Sequence, residues 1–205
     1  GNATDFGKEI IPSLVSTKIV RCHIFDDYWE DIGTVRAFFE ANLQLTNDTP
    51  EFDFYDEDLP IYNYPDLLPT AKLMDCKLQN STIASGCMVG NSSFERCMLG
   101  VRSIVGNDCS FKNVVMMGSD AYESLGDQDS SNPNYSNIPI GVGDSALVEN
   151  AIIDKNARIG KNVKLSPDGL SDGWADSGQN IYVRDGIVVV VKNAVVEDGT
   201  KIGKN

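Results

Sequence analysis

Asp31 lies in the run Tyr28-Trp29-Glu30-Asp31-Ile32-Gly33-Thr34, which puts one carboxylate beside an aromatic ring and ahead of a Gly-Thr turn. A loop carboxylate of this kind can be one ligand of magnesium, which favours one or two carboxylates plus phosphate oxygens. The competing assignment is a helix-capping aspartate, since a helix is expected to open at Thr34. Far downstream, Lys155 and Arg158 sit in Ile153-Asp154-Lys155-Asn156-Ala157-Arg158-Ile159-Gly160, and Lys192 follows the run Gly186 to Val191. Ammonium and guanidinium groups are good donors to phosphate and carboxylate anions. Surface lysines are also commonly just solvated, so these residue types alone leave both readings open. The single histidine, His23, falls in a β-branched run and reads as structural.

Composition restricts the chemistry further. The formal net charge of -13 argues against general affinity for nucleic acid, so any phosphate site must be built locally from a few cations. No apolar run approaches the ~20 residues needed to span a bilayer. The longest, Ile187 to Val191, reads as a buried strand. Nothing at the start reads as a signal or transit peptide. Five cysteines without a C-x-x-C pair, and one histidine, speak for reduced structural thiols over a zinc cluster. Short sequons such as Asn80-Ser81-Thr82 are weak signals in an Asn- and Ser-rich chain.

The elements that must position these residues fall into three stretches. Residues 1–45 read as mixed α/β, with a strand expected over Ile19 to Phe25 and a helix from Thr34. Val35, Phe38, Phe39 and Leu43 share one face of that helix, which is too small a unit to enclose it and should pack on something outside the chain. Residues 46–72 form an acidic, Pro-rich linker whose aromatics (Phe52, Phe54, Tyr55, Tyr62, Tyr64) suggest pinning along a surface. Residues 73–205 carry a six-residue aliphatic period. It runs through Ile83 and Val89; Val105, Phe111 and Met117; Leu147, Ile153, Ile159 and Leu165; then Val183, Val189 and Val195 beside Val190, Val196 and Ile202.

No α-helix repeats at six, whereas a triangular coil of three short strands does, with one inward aliphatic per face and small or polar corners. The fold class is therefore mostly β, a left-handed parallel β-helix of about eighteen residues per coil. Gly141, Gly143 and Gly160 are expected at its turns. Two Ser/Asp/Asn/Gly-rich insertions, roughly 118–139 and 166–180, should leave the prism as loops.

The W-x-D-x-G-T run followed by hexapeptide repeats resembles the C-terminal portion of the ADP-glucose pyrophosphorylase (glucose-1-phosphate adenylyltransferase) family, of the plant and algal kind. The opening Asn2-Ala3-Thr4-Asp5-Phe6-Gly7-Lys8-Glu9-Ile10-Ile11-Pro12 is similar to the family's N-D-F-G-x-E-I-I-P run, departing at Ala3 and Thr4. The resemblance implies that residues 1–45 are the C-terminal remnant of an α/β nucleotidyltransferase domain. It implies ATP and glucose 1-phosphate as substrates, ADP-glucose and pyrophosphate as products, and starch or glycogen synthesis as the setting. Asp31 would be the catalytic Mg2+ ligand, with Asp5 and Trp29 at the sugar pocket. Lys155 and Lys192, with Arg158 as a further candidate, fall where the family binds the effectors 3-phosphoglycerate and phosphate; Arg102 is a possible anion contact. The same resemblance implies an oligomer of like or related subunits in the plastid stroma, or in the cytoplasm of a cyanobacterium-like cell.

No segment resembles the family's G-G-x-G-x-R-L-type loop, so the chain reads as part of an enzyme that would not catalyse the reaction alone. Two alternatives differ in class. A non-catalytic regulatory or assembly subunit would keep the effector sites and subunit surfaces. A hexapeptide-repeat acyltransferase would need a histidine as general base, and residues 73–205 contain none.

Overall fold

The six-residue pattern folds into short strands joined by tight corners. In the computed structural model, which describes residues 4–58, 60–62, 67–123 and 137–204, these strands stack in parallel around one apolar interior. One row comprises β1 (Lys72–Leu73), β4 (Met88–Val89), β6 (Ile104–Val105), β8 (Gly141–Val142), β10 (Arg158–Ile159) and β15 (Val195–Val196). The longer strands β5 (Ser93–Leu99), β7 (Ser110–Met116) and β9 (Leu147–Ile153) bend midway and serve two further rows. Their first halves align with β2 (Lys77–Gln79) and β11 (Lys164–Leu165), which also pairs with β16 (Lys201–Ile202). Their second halves align with β3 (Thr82–Ile83) and β14 (Ile187–Val190).

The midway bend is a single left-handed residue on each coil: Arg96, Asn113 and Asn150, at φ 54, 51 and 48. Asparagine enters this region more readily than most residues because its short polar side chain bonds locally. Here Asn113 Nδ2 donates to Asn150 Oδ1 at 2.9 Å, tying neighbouring coils together. So compact a corner shortens the coil. Phe94 aligns with Phe111, and Val148 with Leu165, a spacing of 17 residues where eighteen was expected. The shortfall also moves the inward set by one position. Ile153, Ile159 and Leu165 point inward as expected, but Val148 fills the core while Leu147 is 40% exposed. Met116 likewise takes the buried place expected of Met117.

Gly143 and Gly160 occupy a corner where successive coils touch. A Cβ on Gly143 would lie 2.9 Å from the Gly160 carbonyl carbon, and one on Gly160 2.7 Å from Asp198 N. Gly141 is not a corner residue: it is buried within β8 at φ +113.

The insertion at 166–180 carries more order than a loop. Its β12 (Ala175–Asp176) pairs antiparallel with β13 (Ile181–Arg184), which folds back onto β14 through Asp185 and Gly186. Val183 thus belongs to a hairpin and not to the coil, and the inward series is Val190, Val196 and Ile202. Of the 118–139 insertion, residues 124–136 lie outside the described residues.

The N-terminal stretch departs most from expectation. Ile19 to Phe25 forms no strand: β-branched residues favour a pleated, half-buried surface, and here Ile19 is 89% and Ile24 80% exposed. Upstream, a π-helical turn (Phe6–Ile10) runs into α1 (Ile11–Val15). The helix expected from Thr34 is present as α2 (Val35–Gln44). Its apolar face needs no partner from outside the chain. Phe39 and Leu43, flanked by Val35 and Phe38, pack on Val115, Ile152 and Ile187 along the outside of the β-helix. Arg36 fastens the contact: its backbone N–H donates to Asp185 Oδ2 at 3.3 Å and its guanidinium to the Asp185 carbonyl. In the linker, Phe52 packs near Tyr28 and edge-on to Phe54, whereas Tyr55 and Tyr62 stand in solvent; Tyr64 lies outside the described residues.

Candidate functional site

Lys155 and Lys192 come together because each follows a strand of the same row. β14 lies on β9 with Val190 opposite Ile153, so Lys192 sits one coil away from Lys155 at the same corner. Each lysine precedes a left-handed asparagine, Asn156 (φ 61) or Asn193 (φ 60), and then a buried alanine. The asparagines turn the chain, and the alanines let it turn without crowding the interior.

Two ammonium groups this close repel, and Asp120 offsets that repulsion. Its Oδ1 accepts from Lys155 Nζ at 3.0 Å, and its Oδ2 pairs with Lys192 Nζ at 3.2 Å and accepts from Asn156 Nδ2 at 2.9 Å. The Asp120 backbone N–H donates in turn to Asn156 Oδ1 at 2.8 Å. The Asn156 amide first, then the two lysines, hold the Asp120 carboxyl far below the usual carboxylate range. The corner is thus a small anion cradle, roughly half exposed, already holding one carboxylate.

Arg158, expected as a further anion contact, is engaged elsewhere. Its guanidinium pairs with Glu123 and donates to the Ile138 carbonyl at 2.8 Å, while Ile140 N donates to Glu123 Oε2 at 2.8 Å. Arg158 and Glu123 therefore close the neck of the 118–139 insertion. Arg102 lies with its guanidinium carbon 6.0 Å from the Tyr122 ring centroid and, among the described residues, forms no hydrogen bond or ion pair with Lys155, Lys192 or Asp120.

Asp31 stands apart from this corner, on the loop that enters α2. The capping role belongs to Thr34, whose Oγ1 accepts from Ala37 N at 3.0 Å. Asp31 is exposed and, among the described residues, makes no hydrogen bond or ion pair. No group of three His, Cys, Asp or Glu side chains among the described residues could hold a metal ion. Asp31 alone thus supplies one ligand of the type a hard cation prefers, and the others must come from a substrate or another segment. Trp29 is 81% exposed and belongs to neither apolar cluster of the described residues. It borders an open groove of about 350 Å³ with Tyr28, Ile32, Leu45 and Phe52. Asp5 caps the first helical turn, its Oδ1 accepting from Lys8 N at 2.7 Å while Glu9 Oε2 accepts from Thr4 N. His23 is exposed and buries nothing.

Asp120 and Asn156 were missed in the sequence, and Glu123 with them. One signal was available: Lys155-Asn156-Ala157 recurs as Lys192-Asn193-Ala194, 37 residues on, which is the register between their coils. A tripeptide repeating at the coil register marks a stacked corner. Asp120 reaches that corner from the start of the longer insertion, and no periodicity points to it.

The profile of the GLGC left-handed parallel β-helix domain family matches residues 66–201, and that of the nucleotidyl transferase family matches residues 1–48. The chain belongs to the GLGC left-handed parallel β-helix domain family, which gives the hand of the coil. The nucleotidyl transferase match carries Asp5, Trp29 and Asp31, and the β-helix match carries Lys155 and Lys192. Together the two matches support an ADP-glucose pyrophosphorylase-like family, with a nucleotidyl transferase segment ahead of the β-helix.

Proposed function

We propose that the chain is the C-terminal part of a glucose-1-phosphate adenylyltransferase subunit of the plant and algal kind, making ADP-glucose for starch or glycogen synthesis. In that reaction a phosphate oxygen of glucose 1-phosphate attacks the α-phosphorus of ATP, and the bond to the departing pyrophosphate breaks. Asp31 would be one protein ligand of a magnesium ion, which when bound would neutralise charge developing on the phosphoryl oxygens. Trp29 offers an apolar ring against the sugar. Asp5, which caps its helical turn through Oδ1, keeps Oδ2 for a sugar hydroxyl. Lys155 and Lys192 bind the phosphate and carboxylate of small effector anions, 3-phosphoglycerate and orthophosphate. The same proposal puts the protein in the plastid stroma, or in a cyanobacterium-like cytoplasm, within an oligomer of like or related subunits.

The observation that carries this reading is the meeting of Lys155 and Lys192 on one carboxylate, behind a nucleotidyl transferase segment whose Asp31 makes no hydrogen bond or ion pair among the described residues. These 205 residues contain no Gly-rich nucleotide loop, so turnover is expected only with such a segment joined to them. That observation also favours a second reading, a regulatory subunit that binds effectors without catalysis. The test is Mg2+-dependent ADP-glucose formation from ATP and glucose 1-phosphate by the native polypeptide carrying this chain, with Asp31→Ala beside it. Catalysis predicts a loss on the order of 100-fold or more in kcat for the variant. No ADP-glucose formation by the wild type would leave only the regulatory reading, and equal non-zero rates from variant and wild type would remove Asp31 from catalysis.

A further inference from the structure

The two lysines meet the same carboxylate through different oxygens. Asp120 Oδ1 accepts from Lys155 at 3.0 Å, and Oδ2 pairs with Lys192 at 3.2 Å and takes the Asn156 amide at 2.9 Å. This donor set is what a phosphate group would use: two point charges and one amide, spread over two oxygens of a single anion. The backbone beneath Asp120 is fixed independently of its side chain. Ser119 is buried, its N–H donates to the Val101 carbonyl at 3.0 Å, and the single proton of its hydroxyl is shared between the Arg102 and Ala121 carbonyls, 3.2 and 3.1 Å away. The Asp120 side chain itself is 47% exposed, so it can swing out to water without moving that backbone.

We propose that Asp120 is a built-in competitor for the anion cradle: its carboxylate occupies the position between Lys155 and Lys192, and a phosphate-bearing dianion binds by displacing it. The inference rests on the reading of Lys155 and Lys192 as an anion site. It adds a selection rule to that site. A monoanion such as chloride cannot satisfy both ammonium groups and the amide at once, whereas a phosphate dianion replaces every contact it removes. Apparent affinity is then the difference between the two occupants, and weakening the internal one strengthens binding of the external one.

The experiment is calorimetric titration of inorganic phosphate into the 205-residue chain at constant ionic strength held with chloride, for wild type, Asp120→Asn, and the pair Lys155→Ala and Lys192→Ala. Asparagine keeps the shape and one acceptor but removes the competing charge. The expected result is phosphate binding tighter in Asp120→Asn on the order of 5-fold or more, and lost in the lysine variants. Phosphate binding that depends on the lysines but is no tighter in Asp120→Asn overturns the competitor role and leaves the anion site standing. No phosphate binding by either wild type or Asp120→Asn overturns both. Should Asp120→Asn fail to fold, phosphate is titrated into wild type while the Asp120 carboxyl carbon is followed by NMR. Displacement moves that resonance towards the position of a free carboxylate, and a resonance unmoved at saturation contradicts it.

Discussion

Burial fixes the reactivity of individual side chains here more than residue type does. Cys97 is fully buried, and its thiol is pushed up to about 11 by burial; burial also raises Cys87 and Cys109. A group raised in the fold keeps its proton, so the contribution of Cys97 to stability is complete below the ordinary thiol pKa and is lost as pH rises towards its folded value. Alkylation with iodoacetamide, read by intact mass, should therefore modify exposed Cys22 readily at pH 8 while Cys87, Cys97 and Cys109 react only after denaturation. Fast modification of Cys97 in the folded chain would contradict its place in the core. The free-thiol reading was legible in the sequence, because an odd set of cysteines without C-x-x-C spacing suggests little else. Asp120 was not legible, since its partners lie 35 or more residues away across an insertion that breaks the period.

Among the elements, the coil was readable and its corners were not. A period of six comes from one inward aliphatic per face, and that rule survives in Ile153, Ile159 and Leu165. The single left-handed residue at Asn113 and Asn150 removes one position per coil, and only backbone geometry reveals it. The helix α2 shows the opposite case, in which the element was legible but its partner was not. Its apolar face was plain in Val35, Phe38, Phe39 and Leu43, yet its seat is the outer surface of β7, β9 and β14. Leu43 is completely buried there, and truncation leaves a cavity the rigid coil cannot close. Leu43→Ala should cost about 2–5 kcal/mol for the docked helix. Hydrogen exchange is the measurement: α2 amides should lose protection while β7 and β9 keep theirs. Unchanged protection in α2 would mean that the helix is not held by this contact.

At the scale of the molecule, α2 is the bridge between two chemistries. Asp31 lies on the loop entering α2, and Arg36 in its first turn grips Asp185, one turn of hairpin before the strand that leads to Lys192. The loop proposed to hold the metal and the corner proposed to bind effectors are therefore attached to one rigid coil. The most direct measurement is the initial rate of ADP-glucose formation against inorganic phosphate, for the native polypeptide carrying these residues and for its Lys155→Ala/Lys192→Ala double variant. The account predicts that phosphate lowers the wild-type rate and that its midpoint rises on the order of 10-fold or more in the variant. The same phosphate response in both proteins would contradict it.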